Sequence, residues 1–132
     1  MMHGYRYTTN TSYLELWASA DSSSYDFTYA RFNSTVSLTN YNYLTMYVLK
    51  TENQSQNGYN QLSIGVDTSS TVKFTTNCDA YNEISANTGA YVTLNISSLT
   101  GNYYIYIGYK QTGSGDYGTT YAHIGRVYLS TT

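Results

Sequence analysis

Eight carboxylates, two histidines and one cysteine are the main stock of groups with which this 132-residue chain could perform acid–base, nucleophilic or metal chemistry. They are dispersed. No set of cysteines and histidines has the spacing of a zinc site, and no strand leads through a glycine-rich turn into a helix that could cradle phosphate. The segment Gly113-Ser114-Gly115-Asp116-Tyr117-Gly118 is glycine-rich but, without a helix after it, is expected to be a hairpin loop or a flexible tip. His3 lies in a terminus, and His123 sits in the last strand, where a hydrogen-bonded structural role is expected. Cys78 has no partner for an internal disulfide and is expected to be a small, partly buried apolar residue.

Two carboxylates come close in sequence. Asp21 and Asp26 flank the loop Ser22-Ser23-Ser24-Tyr25, where they could form a glycosidase pair if held about 5–9.5 Å apart. With backbone carbonyls they could instead hold a structural Ca²⁺, although their spacing matches no loop with a defined ligand order. That is the one metal site the sequence offers, and no other cofactor is indicated. So few reactive groups point away from an enzyme.

Binding chemistry is better supplied. The chain has 18 tyrosines, and tyrosine with Ser, Asn and Gly dominates antibody-type binding surfaces because the ring gives contact area at low entropic cost. A sugar, with its apolar C–H faces and hydroxyl edges, suits a flat ring flanked by amides or carboxylates. The expected ligand contacts are Asn57 and Tyr59 in one loop, Asp116 and Tyr117 in another, and Tyr104 and Tyr106 on one face of a strand. Trp17 is expected in the core.

A net charge of −2 with 11% charged residues leaves no basic stripe for phosphates, which disfavours nucleic acid. No stretch approaches the roughly 20 apolar residues that a membrane span requires. The opening Met1-Met2-His3-Gly4-Tyr5-Arg6-Tyr7 lacks the apolar core of a secretory signal, so export by that route is not expected. Leu, Ile, Val and Phe make up only about 18% of the chain, within the range of disordered proteins, but the high net charge of such proteins is missing. Tyrosine is therefore expected to supply core bulk in place of aliphatic residues.

Two-residue alternation recurs at short intervals and helical periodicity does not. Strands are expected over Tyr13–Ala18, Tyr25–Phe32, Tyr43–Thr51, Gln61–Asp67, Val72–Phe74, Tyr91–Ser97, Tyr103–Lys110 and Thr120–Ser130. Gly101 and Asn102 mark a turn. Gly125, where the apolar phase switches, marks a bulge. About eight strands without a helix predict an all-β antiparallel sandwich, a jelly roll of the galactose-binding-like kind, with a small barrel as the competing closure. The expected organisation is a flexible segment over 1–12 and one sandwich domain over 13–132.

The segments Leu38-Thr39-Asn40-Tyr41-Asn42-Tyr43-Leu44-Thr45-Met46-Tyr47-Val48 and Val92–Gly108, with the closing Ile124-Gly125-Arg126-Val127-Tyr128-Leu129, form a pattern across about residues 36 to 130. It resembles the carbohydrate-binding-module-like β-sandwiches of bacteriophage tail and minor structural proteins and of related bacterial surface proteins. The resemblance implies a non-catalytic module in a virion or at a cell surface, whose site lies in loops or on a sheet face that varies between relatives. Expected partners are a cell-surface glycan or polysaccharide and other virion or surface-protein subunits, the chain itself forming a homo-oligomer. Two alternatives stand beside glycan binding: a structural subunit of an oligomer, fibre or capsid decoration, and a glycoside hydrolase accessory domain of a bacterial surface protein.

Overall fold

A computed structural model of the chain describes residues 7–9, 13–19, 25–52, 59–71, 73–85, 88–112 and 119–132, with the side chains of 7–9, 19, 25, 26, 52, 59, 112 and 119 left undescribed. Ten strands account for most of them: β1 (Tyr7–Thr9), β2 (Leu14–Ser19), β3 (Tyr25–Arg31), β4 (Val36–Ser37), β5 (Tyr43–Glu52), β6 (Tyr59–Asp67), β7 (Ala80–Ser85), β8 (Tyr91–Asn95), β9 (Asn102–Thr112) and β10 (Thr119–Ser130). One sheet has the order β1-β2-β10-β5-β8 and the other β3-β9-β6-β7, with β4 paired to β9. Without the short β1 and β4, the facing orders β2-β10-β5-β8 and β3-β9-β6-β7 are those of a jelly roll, the predicted class. The sheets keep separate edges, so the chain forms a sandwich and not a barrel.

Alternation on each strand decides what fills the space between the sheets. Leu44, Met46 and Val48 of β5, Val92 and Leu94 of β8, Leu62, Ile64 and Val66 of β6, and Ile105 and Ile107 of β9 all turn inward and are buried. Each such side chain contributes about 1.5–3 kcal/mol by leaving water. Leu49 is the one exposed aliphatic side chain among the described residues. The aliphatic stock, small as it is, goes almost entirely into this layer.

The expectation that tyrosine replaces aliphatic bulk is corrected on this point. Among the described tyrosines only Tyr106 and Tyr109 are fully buried, and only Tyr109 belongs to the inter-sheet core. Its hydroxyl lies 2.7 Å from Thr120 Oγ1, which in turn donates to Gln111 Oε1 at 2.6 Å, so the ring enters the core with its polar end satisfied. Trp17 is half-buried between the inward Leu16 and Ala18, on the outer face beside Tyr121, and not in the core.

The connection between β6 and β7 folds back over the outer face of the second sheet. Val72 and Phe74 were expected in a strand. Val72 falls outside the described residues, and Phe74 caps a 3₁₀ turn, Thr75–Asn77. Phe74 packs edge-on against Phe27 and Tyr29 of β3, with ring centroids 5.0 and 5.4 Å away. Thr75 settles over Gly65 and Gly108, where a side chain would collide: a Cβ on Gly108 would stand 2.6 Å from both Ser63 Oγ and Thr75 Oγ1.

Asp67 anchors the same connection. Its carboxylate is 1% exposed and accepts from the amides of Ser69 at 2.7 Å and Asp79 at 2.9 Å, with Lys73 Nζ at 2.7 Å. Burial pushes the carboxyl up, but the Lys73 hydrogen bond and the two amides outweigh it and hold it below its ordinary value. Tyr106 donates to the carbonyl oxygens of Ser69 and Thr71 at 3.2 and 2.9 Å, and Arg31 donates to that of Ser70.

Three further differences follow from pairing. β1 lies within the segment 1–12 expected to be flexible, yet pairs antiparallel with β2. β4 is only two residues long. β7 carries Asn82 at the position facing Ile64, where an apolar residue would have signalled a strand. Asn82 Nδ2 donates to Thr93 O on β8 at 2.7 Å, tying the edges of the two sheets together and occupying a carbonyl that an incoming strand would need.

Two measurements check this account. Gly108→Ala is expected to destabilise by about 1–3 kcal/mol in chemical denaturation because the added methyl overpacks against Ser63 and Thr75; a change under about 0.5 kcal/mol would contradict the crossing. For Asp67, a lowered folded-state value means that its stabilisation is complete above the unfolded carboxyl value of about 3.9 and is lost as pH falls through the folded one. Asp67→Asn should therefore be less stable than wild type at pH 7, and the difference should shrink below about pH 4.

Candidate functional site

The β6–β7 connection crosses part of the outer face of the second sheet, whereas among the described residues no segment crosses β10, β5 and β8 of the first. Inward burial of Leu44, Met46, Val92 and Leu94 forces the residues between them outward. Register then sets three rows across β10, β5 and β8: Arg126, Tyr47 and Tyr91; Tyr128, Thr45 and Thr93; Ser130, Tyr43 and Asn95. At strand spacings of about 4.8 Å and rises of about 3.4 Å per residue, this grid covers about 10 Å by 14 Å.

Its relief is a groove. Two adjoining hollows, of about 410 Å³ along Tyr43, Thr45, Thr93 and Tyr128 and about 470 Å³ along Tyr47, Leu49, Gly125 and Arg126, share Tyr91 as a wall. Tyr91 is 55% exposed and tilts at 44° to Tyr47, centroids 5.0 Å apart. Thr45 and Thr93 place their hydroxyls 3.3 Å apart on the floor. Arg126 lies over the Tyr128 ring at 4.5 Å. At the Gly125 bulge, where register shifts between Ile124 and Arg126, the exposed Leu49 packs close to the glycine: a Cβ there would stand 3.3 Å from Leu49 Cβ. Aromatic walls with hydroxyl and amide groups between them can hold a flat, hydroxylated ligand by ring contact and hydrogen bonding.

Of the sequence-predicted contacts, the two whose side chains are described, Tyr104 and Tyr106, lie on the other sheet. Tyr104 and Tyr106 share the outer face of β9. Tyr104 is half-buried beneath the Arg31 guanidinium, 4.7 Å from its ring centroid. Tyr106 is corrected: it is buried under the β6–β7 connection, both contacts of its hydroxyl are backbone carbonyls, and it has no surface for a ligand. Asn57, Asp116, Tyr117 and Asp21 lie outside the described residues, as do the side chains of Tyr59 and Asp26. The strand ends bordering segments 20–24, 53–58 and 113–118 adjoin at one end of the sandwich, since Tyr25 and Tyr59 both pair with Thr112, and Thr119 pairs with Ser19.

Farther along the same open face, His123 stacks between Tyr13 and Tyr121 at 4.1 and 4.8 Å, and its Nε2 lies 2.7 Å from Glu15 Oε2. The two residues stand opposite each other on β10 and β2. No described cysteine or third acid joins them, and among the described residues no group of three His, Cys, Asp or Glu could hold a metal. A hollow of about 490 Å³ between the sheets, lined by Leu14, Ala30, Phe32 and Val36, is apolar apart from its rim. Its one charged group, Arg31, is already engaged with Ser70 and Tyr104.

Sequence reasoning missed the groove because its residues are scattered over three strands that only register brings together. Outward alternation in Tyr43–Tyr47 and Tyr91–Asn95 was the available signal, but it named no partner strands.

Cys78 is excluded as a nucleophile. Burial, with the nearby Asp67 charge, pushes its thiol up to about 12, and a thiol in that range holds almost no thiolate near neutrality. Native protein at pH 8 is expected to resist iodoacetamide over hours and to react promptly once unfolded; rapid native labelling would contradict the burial.

Comparison with known proteins returns no matching family model and no matching curated protein.

Proposed function

We propose that this domain is a non-catalytic glycan-binding module whose recognition surface is the tyrosine-walled groove of β10, β5 and β8. The observation that carries the reading is the three-by-three grid, in which Tyr43, Tyr47, Tyr91 and Tyr128 surround the hydroxyls of Thr45 and Thr93. A pyranose presents C–H bonds to the rings and hydroxyls to the floor. The groove is borne on strands, so its groups are positioned before a ligand arrives and less ordering entropy opposes binding. The resemblance of its strands to carbohydrate-binding sandwiches of phage tail and bacterial surface proteins supports a place in a virion or on a cell surface.

Tyr81, 47% exposed on the edge strand β7 of the other sheet, favours a second role in the same molecule, packing against further subunits. Light scattering of the purified domain reports it directly. Binding and assembly are compatible, because the two surfaces lie on opposite sheets.

On a glycan array, wild-type protein is expected to retain at least one class of oligosaccharide. Tyr91→Ala should weaken that binding about tenfold or more while leaving the melting temperature nearly unchanged, since the ring is largely exposed and aromatic anchors dominate such contacts. Unchanged binding by Tyr91→Ala would displace the site from this groove, and an array without any bound glycan would overturn the reading.

A further inference from the structure

Resting on that reading, we infer that the groove selects acidic glycans, with Arg126 as the residue that recognises the carboxylate or phosphate group on the sugar. Arg126 is the only charged residue in the grid, and no acid shares its rows. Its side chain is exposed, and its guanidinium rests on the Tyr128 ring, centroid 4.5 Å away. No ion pair or hydrogen bond engages it among the described residues. Glu15, the nearest described acid on that face by register, lies on β2 and is held by His123 at 2.7 Å.

Stacking on an aromatic face is a geometry particular to arginine. A guanidinium resting on a ring keeps edge N–H groups available, and that fork matches a carboxylate or phosphate bidentately. Arg126 stands in the same row as Tyr47 and Tyr91. A sugar ring lying against Tyr91 therefore brings an acidic substituent within reach of the guanidinium. Any neutral sugar would leave that fork facing water. The protein carries a net charge of −2, so attraction of an anion has to come from local placement and not from the field of the whole molecule.

The test uses the full chain on an array that holds neutral oligosaccharides beside their uronate-, sialate- and phosphate-bearing counterparts. Wild type should favour acidic members over their neutral counterparts by about three- to tenfold, a preference that falls as salt shortens the range of charge interactions. Arg126→Gln should abolish the preference while keeping the weaker binding to neutral members, and Tyr91→Ala should weaken acidic and neutral members alike. Arg126→Lys keeps the charge but loses the fork, and should recover less than half of the preference. The carboxylated and phosphorylated arms show which group is taken. Equal binding of acidic and neutral members by wild type, or an acidic preference surviving in Arg126→Gln, overturns this inference and leaves glycan binding intact. Binding of no member overturns both.

Discussion

A shortage of aliphatic side chains governs the architecture. With Leu, Ile, Val and Phe at about 18% of the residues, there is enough apolar bulk to close one layer between two sheets and almost none to cover their outer faces. The two faces are finished in different ways. On the second sheet Gly65 and Gly108 remove the side chains that would keep another segment away, and the β6–β7 connection lies down on them through Phe74 and Thr75. Overpacking of even one methyl is costly in such contact, so the glycines and the crossing segment depend on each other. Among the described residues no such cover lies over β10, β5 and β8 of the first sheet, and tyrosines stand there half in water. Openness of that face follows from the same economy that closed the other.

Much of this could be read from the chain because alternation is a local property. β3, β5, β8, β9 and β10 begin and end within a few residues of where their apolar periods do, and the Gly125 bulge falls where the phase switches. β7 could not be read that way, since Asn82 occupies its inward position in order to reach Thr93. Phe74 misled for a related reason: its apolar character serves a contact with Phe27 and Tyr29 that lies outside any ladder. Composition is a poorer guide for tyrosine. A ring that can be buried need not be, and the described tyrosines, Tyr106 and Tyr109 apart, stand at the surface partly or largely in water.

The site depends on long-range pairing, which local patterns do not encode. Tyr43, Tyr91 and Tyr128 are neighbours only because β5 lies between β8 and β10 in one particular register, and a slip of one residue in any of these strands would turn its tyrosine inward. The same holds for Glu15 and His123, far apart in the chain and opposite each other on β2 and β10. Loops drew attention in the sequence because they carry function so often. Here the described part of the molecule offers a strand-borne surface instead.

That difference bears on mechanism. Groups on neighbouring strands are held by backbone ladders, so their separations vary little, and the proposed glycan ligand would meet them as a preformed template. Binding then loses less to ordering than it would on adaptable loops, and even modest contacts suffice for recognition. The edge strand β8, its Thr93 carbonyl occupied by Asn82, is poorly suited to accept another strand beside Tyr91. An extended ligand can therefore leave the groove across that edge without competing with strand addition. The proposed polysaccharide ligand would gain from a floor held rigid in this way.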